Sequence, residues 1–369
     1  LRHAEYVLRT GVLGPARPLD TVARQAAAFD ARYTGRTLTD MGYTSGLRAC
    51  PERRFLERAG TWSLGFYARP LNLAIATLAA HDAAWRHRFD TTVRHMLDAA
   101  VVHSEVPGTD WLGALRGPGD PDTAAPWPPG LRTEGYALHH YLTGEPASMD
   151  AVLSVADYIV RTRAGIEETD PRAHASALAA VLTALEATGD LGFLDEASLR
   201  VAALQAFIEP RRGVWPQAQG SAVYRGMTPW HVAHLARPLY RWYRQTGDLA
   251  AAQTLVALAD GLRAEHVDWQ DPTRLRGVLG NPPLPHTTVH DPFILPLFFA
   301  AHELTGDAAY LELAAGIWER WHDTHTLRSY RGTFWYWPWL LHEVAAHGLA
   351  GAALSSEGEG APAGEGAPR

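Results

Sequence analysis

A three-residue pattern recurs four times along the 369-residue chain: Thr143-Gly144-Glu145, Thr188-Gly189-Asp190, Thr246-Gly247-Asp248 and Thr305-Gly306-Asp307. Each copy separates two stretches long enough and apolar enough to be helices. Glycine at such a point ends the first helix by adopting the left-handed conformation that other residues resist. The acid that follows suits the start of the next helix, as a cap or as a charge facing the positive end of its dipole. Each unit is therefore a helical hairpin, and hairpins repeating every 45, 58 and 59 residues predict a helical array.

Extending the pattern outward predicts twelve helices: 19–33, 67–80, 85–103, 132–142, 148–163, 174–187, 194–208, 229–245, 249–266, 291–304, 308–325 and 334–348. The stretches before the turns, such as 177–182 and 293–301, are apolar nearly all round and predict buried helices. Those after the turns carry charge on one face, as Glu312, Glu319 and Arg320 do, and predict covering helices. Six buried helices alternating with six covering ones make an all-α (α/α)6 toroid of about six hairpins. The expected organisation is an N-terminal extension over 1–18, the toroid over 19–348 and a disordered Gly/Ala/Glu/Pro-rich tail over 349–369. No sustained two-residue alternation predicts strands.

Composition removes several classes of function. The 33 basic and 40 acidic residues leave a net charge of −7, opposite to the basic surface of a nucleic-acid binder. Every basic residue is arginine, a bias expected of a GC-rich, bacterial-type genome, and Schiff-base lysine chemistry and lysine phosphate loops are excluded with it. One cysteine, Cys50, rules out a disulfide scaffold or a cysteine zinc site. No apolar run is long enough to span a membrane. No signal peptide is visible, and the compartment, cytoplasmic or secreted, stays open.

In a toroid the inner helices run the same way, so their N-terminal ends open into one funnel, fed by the long loops. The six expected mouths are rich in His, Arg and aromatic residues. They are Trp62 to Arg69; Trp127 to Tyr136; Asp170 to His174; Trp215 and Tyr224 to His231; His286 to Asp291; and Tyr330 to Trp337. Aromatic faces stack on sugar rings and arginine forks grip carboxylates, so the expected partner is an oligosaccharide or polysaccharide. Singly, each aromatic cluster would read as packing.

The hairpin units, and the stretch Arg132-Thr133-Glu134-Gly135-Tyr136-Ala137-Leu138-His139-His140-Tyr141-Leu142-Thr143-Gly144-Glu145, resemble (α/α)6-toroid polysaccharide lyases and glycoside hydrolases. Within that group the stretch is most similar to exo-rhamnogalacturonan lyase-like proteins. The resemblance implies a carbohydrate-active enzyme, with no cofactor expected.

Individual residues read in two ways. Glu134 is either a charge on a helix N-terminus or a catalytic group. His139 and His140 lie deeper, where a hydrogen-bonded core histidine is expected. Trp230 and His234 share a helix face, with His231 nearer the mouth. His286 and His290 have a metal-pair spacing, but Pro285 and Pro292 break the segment, so no metal is expected. His342 and Glu343 read as structural. The expected catalytic residues are Glu134, His231, His290, Asp291 and Tyr336. Substrate binding is expected from Arg132, Tyr136, Arg172, Arg225, Trp230, Arg331 and Trp335. A β-eliminating lyase needs a uronate carboxylate neutralised by arginine and a His or Tyr base. A glycoside hydrolase needs two carboxyls about 5–10 Å apart, for which Glu134 and Asp291 are the pair and Asp170 a third candidate. The lyase reading on an acidic sugar leads; a hydrolase, and then a non-catalytic sugar-binding module, follow. No DDxxD motif supports an isoprenoid cyclase.

Overall fold

The four repeated turns have one geometry. In the computed structural model, which describes residues 69–80, 83–117, 125–166, 170–208, 229–267 and 288–324 with short pieces at 210, 213, 215, 217–219, 222–224 and 347, Gly144, Gly189, Gly247 and Gly306 have φ of 77°, 70°, 71° and 72°. Each glycine N–H donates to the carbonyl four residues back at 2.7–2.8 Å. The threonine hydroxyl donates to its own carbonyl four back, as from Thr246 to Trp242 at 2.8 Å, and accepts the N–H of the acid across the glycine. The aspartates then cap the next helix: Asp248 Oδ1 accepts from Ala250 and Ala251, and Asp307 Oδ1 from Ala309. Glu145 is too long for that role and instead pairs with Arg94 at 3.4 Å.

These turns join four of the five described hairpins. The helices are α1 (Arg69–Ala80), α2 (Ala83–Ala99), α3 (Glu134–Thr143), α4 (Pro146–Thr162), α5 (Pro171–Thr188) and α6 (Leu191–Ile208). They continue with α7 (Pro229–Ala233), α8 (Ala236–Thr246), α9 (Leu249–His266), α10 (Leu295–Thr305) and α11 (Ala308–Thr324). Helices α1, α3, α5, α8 and α10 pack in sequence as an inner ring, and α2, α4, α6 and α9 pack in sequence outside it. Burial follows that division. Residues 173–184 of α5 and 295–301 of α10 are buried throughout, whereas α4 buries one side only. Close approach within the inner ring requires Gly135, where a Cβ would lie 2.3 Å from Pro70 Cβ and 2.5 Å from the Leu71 nitrogen. The fold is an all-α (α/α)6 toroid. The sixth pair expected at 19–33 and 334–348, the extension 1–18 and the tail 349–369 fall outside the described residues, save His347.

Three expectations need correction. The continuous helix over 229–245 breaks at His234–Leu235, because Pro238 lacks the N–H that would bond the His234 carbonyl and its ring crowds that carbonyl. The helix expected from 291 begins as a 3-10 turn over Thr288–Ile294 and becomes α-helical only at Leu295, a change that accompanies Pro292 and Pro296. Finally, the loop before α7 contains a small antiparallel pair, β1 (Gln217–Gln219) and β2 (Ala222–Tyr224), joined in register Ala218 to Val223.

The connections differ at the two ends of the toroid. Outer-to-inner links, at 100–133, 163–170, 209–228 and 267–287, are long; inner-to-outer links at four of the hairpins are the two-residue Gly-acid turns. The N-terminal ends of α3, α5, α7 and the 3-10 turn before α10 therefore share the face where the long loops gather.

Candidate functional site

At that face the second, third and fourth mouths converge. A 3-10 turn at Pro128–Gly130 leads into α3, and Ser176 of α5 anchors it by donating to the Pro129 carbonyl at 2.7 Å. Gly130 allows the Trp127 ring to fold back, since a Cβ there would lie 2.9 Å from the ring. Arg172, in the first turn of α5, has its guanidinium over Trp127 at 5.7 Å and over Trp230 of α7 at 5.5 Å from the ring centres. Both distances lie within cation–π range. The same guanidinium donates to both carboxylate oxygens of Asp170, at 2.6 Å for the closest pair. Asp170 also caps α5 through the Arg172 N–H. Burial pushes the Asp170 carboxyl up, but the Arg172 bonds and charge, and His231 nearby, hold it below the usual range. Arg172 thus links two tryptophans to a cap, and its fork is occupied within the protein.

Arg132 crosses to the fourth mouth. Its Nη2 lies 3.1 Å from His234 Nδ1, in the turn between α7 and α8 that Pro238 creates. Trp230 packs edge-on against His231 at 4.0 Å and against His234 at 5.8 Å. His234 is held well below its ordinary pKa by burial, then by Arg132, Arg172 and His231. Each of these influences favours the neutral ring. At the fifth mouth Asp291 is buried in the 3-10 turn that packs on α7.

Glu134 lies beneath this surface. It is 1% exposed, with Arg237 Nη1 at 3.6 Å and Arg241 Nη1 at 4.0 Å from Oε1. Burial raises its pKa, but Arg237, Arg132 and Arg241 together outweigh that and hold the carboxyl below the usual range. Arg241 continues the chain of charge to α5, donating to Glu186 at 2.7 Å and to Thr183 at 3.2 Å. Three inner helices, α3, α8 and α5, are thereby joined by one buried polar spine.

The structure therefore groups Arg132, Arg172, Trp230 and His231 of the expected residues, with Asp291 on the packed neighbour. Beside them lie Asp170, the third candidate carboxylate, with Trp127 and His234, and Arg237 and Arg241 lie below. Tyr136 is fully enclosed and burial raises its phenol strongly, so it faces packing and not an open cleft. Residues Arg225, Arg331, Trp335 and Tyr336, and the side chain of His290, lie outside the described residues. His139 is a core histidine: its Nδ1 meets Ser148 Oγ at 2.7 Å and its Nε2 meets Asp90 Oδ1 at 3.0 Å, pinning α3 to α4 and α2. His140 donates from Nδ1 to the Glu145 carbonyl, a bond repeated by His302 and Asp307 in the fifth hairpin. Among the described residues no group of three His, Cys, Asp or Glu side chains gathers for a metal, and no helix is long and apolar enough to cross a membrane.

Comparison with known proteins adds the fold context. No known family matches the sequence, and no curated protein does. Among solved structures the chain is similar to a sugar epimerase from a ruminal bacterium, at 10% identity and a TM-score of 0.54, covering 70% of this chain and 74% of that one. It is also similar to a glycoside hydrolase at 14% identity and a TM-score of 0.54, covering 93% of this chain and 58% of the other. At such identities the likeness is one of fold.

Proposed function

We propose that the chain is a carbohydrate-active enzyme that removes a proton from a sugar carbon next to a carboxylate or carbonyl, with an acidic oligosaccharide as substrate and β-elimination as the outcome. The observation that carries this reading is the meeting of Arg132, His231 and His234 beside Trp230 at the convergent mouths. A tryptophan face suits a sugar ring, an arginine suits its carboxylate, and a histidine suits the proton. His231 takes the proton, the electron pair passes into the carboxylate as an enediolate, and its return forms the carbon–carbon double bond as the β-oxygen leaves with the proton handed back by His231. Arg225, Arg331, Trp335, Tyr336 and His290 are assigned to the same cleft from their mouths in the sequence.

Burial and charge argue against the hydrolase alternative with Glu134 and Asp291 as its pair. A general acid must hold its proton at working pH, whereas three arginines keep Glu134 ionised and no oxygen of it is exposed. A second reading, epimerisation, has the fold likeness to the sugar epimerase in its favour. It shares the proton abstraction but returns the proton to the same carbon.

One experiment separates them. The protein is incubated in heavy water with matched uronate and neutral oligosaccharides, and followed by ultraviolet absorbance and proton NMR. Rising absorbance of an unsaturated uronide supports elimination. Deuterium incorporation without absorbance supports epimerisation. New reducing ends with neither would overturn the proton-abstraction reading.

A further inference from the structure

We infer that Arg132 is a positioning residue that fixes His234 as the neutral ring with its proton on Nε2, so that His234 serves as a hydrogen-bond donor and not as a base. The division of labour with His231 rests on the reaction proposed above; the protonation pattern itself does not.

The inference starts from hydrogen-bond inventory. A guanidinium has five N–H donors and no acceptor. With Arg132 Nη2 3.1 Å from His234 Nδ1, that nitrogen must present its lone pair. A neutral imidazole then carries its one hydrogen on Nε2, and a cationic ring would set N–H against N–H. The surroundings favour the neutral form further, since Arg132 from the entry to α3 and Arg172 from α5 are both close, with His231 on the adjoining helix.

Arg132 is itself held. Its backbone N–H donates to the Gly130 carbonyl at 2.8 Å, fixing the residue to the Pro-Pro-Gly turn. Behind it lies the ionised Glu134, kept in place by Arg237 and Arg241. His234 is positioned equally firmly by the Pro238 break, which takes it out of a regular helix and leaves it at the junction of α7 and α8. Two residues 102 positions apart are thus oriented before any substrate arrives. A neutral imidazole N–H of this kind can polarise an oxygen on which negative charge develops, without surrendering its proton.

Nitrogen NMR tests this on the full chain. Histidine rings are labelled with nitrogen-15, long-range proton–nitrogen correlations are recorded near neutral pH, and the His234 signals are identified by their loss in His234→Gln. The expected pattern is a bare Nδ1 and a protonated Nε2. Arg132→Lys, which also only donates, should keep it; Arg132→Met should shift the two nitrogens toward each other as the tautomers mix. A protonated Nδ1 in the unmodified protein, or an unchanged pattern in Arg132→Met, would overturn the inference. Should Arg132→Met not fold, the unmodified and lysine spectra still decide. No sugar is needed, so a protein inactive on every saccharide but showing the expected pattern would remove the proposed function and leave the tautomer assignment standing.

Discussion

Arg132 donates from Nη2 to Nδ1 of His234 over 3.1 Å, joining the entry of the second described inner helix to the break in the fourth. If the same guanidinium also meets the substrate carboxylate, its removal affects charged substrates most. A charge-assisted hydrogen bond contributes about 1.5–3 kcal/mol, or roughly 10- to 150-fold. Arg132→Ala should lower kcat/KM on uronate oligosaccharides by at least that factor, and by more than on neutral ones, which lose only the orientation of His234. Equal losses on both would remove the uronate from the proposal.

Glu134 is a buried charge offset by three arginines, Arg237, Arg132 and Arg241. Breaking a buried ion pair by removing one partner costs about 3–5 kcal/mol, and Glu134→Gln keeps the shape while removing the charge. The variant should unfold at clearly lower denaturant concentration. If its stability is unchanged and only activity falls, Glu134 acts on substrate directly.

Much of this architecture was legible because it is local. The Thr-Gly-acid signature needs only one helix end and one helix start, and all four copies form the expected turns. The register of 249–266 in α9 was readable for the same reason. What was hidden is non-local. Glu134 looked like a free charge at a helix mouth because Arg237 and Arg241 are remote in sequence. The available signal was their own spacing: two arginines one turn apart on an inner helix must find an acid. The break at His234 was written in Pro238, yet the apolar period runs through it and suggested one helix. Asp170 looked like a spare carboxylate, but the Pro171 that follows it marks a helix cap.

The two kinds of tryptophan should respond differently to truncation. Trp215 is 2% exposed and packs on Phe207 at 4.6 Å and His174 at 5.4 Å, so Trp215→Ala should cost about 3–5 kcal/mol of stability. Trp230 is partly exposed beside the histidines. Trp230→Ala should weaken sugar binding by about 0.5–1.5 kcal/mol, the scale of an aromatic contact, with a smaller loss of stability. Calorimetric titration with oligosaccharide and a thermal melt distinguish the two. If Trp230→Ala melts as early as Trp215→Ala, its ring is core.

The repeated turn makes a prediction independent of function. A Cβ at Gly247 would meet nothing within 4 Å, yet its φ is 71°, so only backbone strain opposes substitution. Gly247→Ala should cost about 1–2 kcal/mol. Asp248→Ala removes the cap on α9 and should cost about 0.5–2 kcal/mol. Because both act on one turn, their effects should not add fully. Chemical denaturation of the two single variants and the double variant measures this. Full additivity would mean that the cap and the glycine work separately.

His234 should give the folded protein a pH dependence of known sign. Its folded pKa is depressed, by burial first and then by Arg132, Arg172 and His231, so the unfolded chain binds its proton more readily. The associated stability is present in full above the unfolded value of about 6.5 and is lost as pH falls below it toward the folded value. One such ring contributes a slope of at most about 1.4 kcal/mol per pH unit. His95, also depressed by burial, acts in the same window and remains in every variant. The depressed carboxyls of Glu134 and Asp170 act lower, below about pH 4. Denaturation between about pH 7.5 and 5.5 should therefore show falling stability, and His234→Gln should flatten the fall without abolishing it. An identical slope in the variant would mean that the His234 ring is not held neutral by the fold.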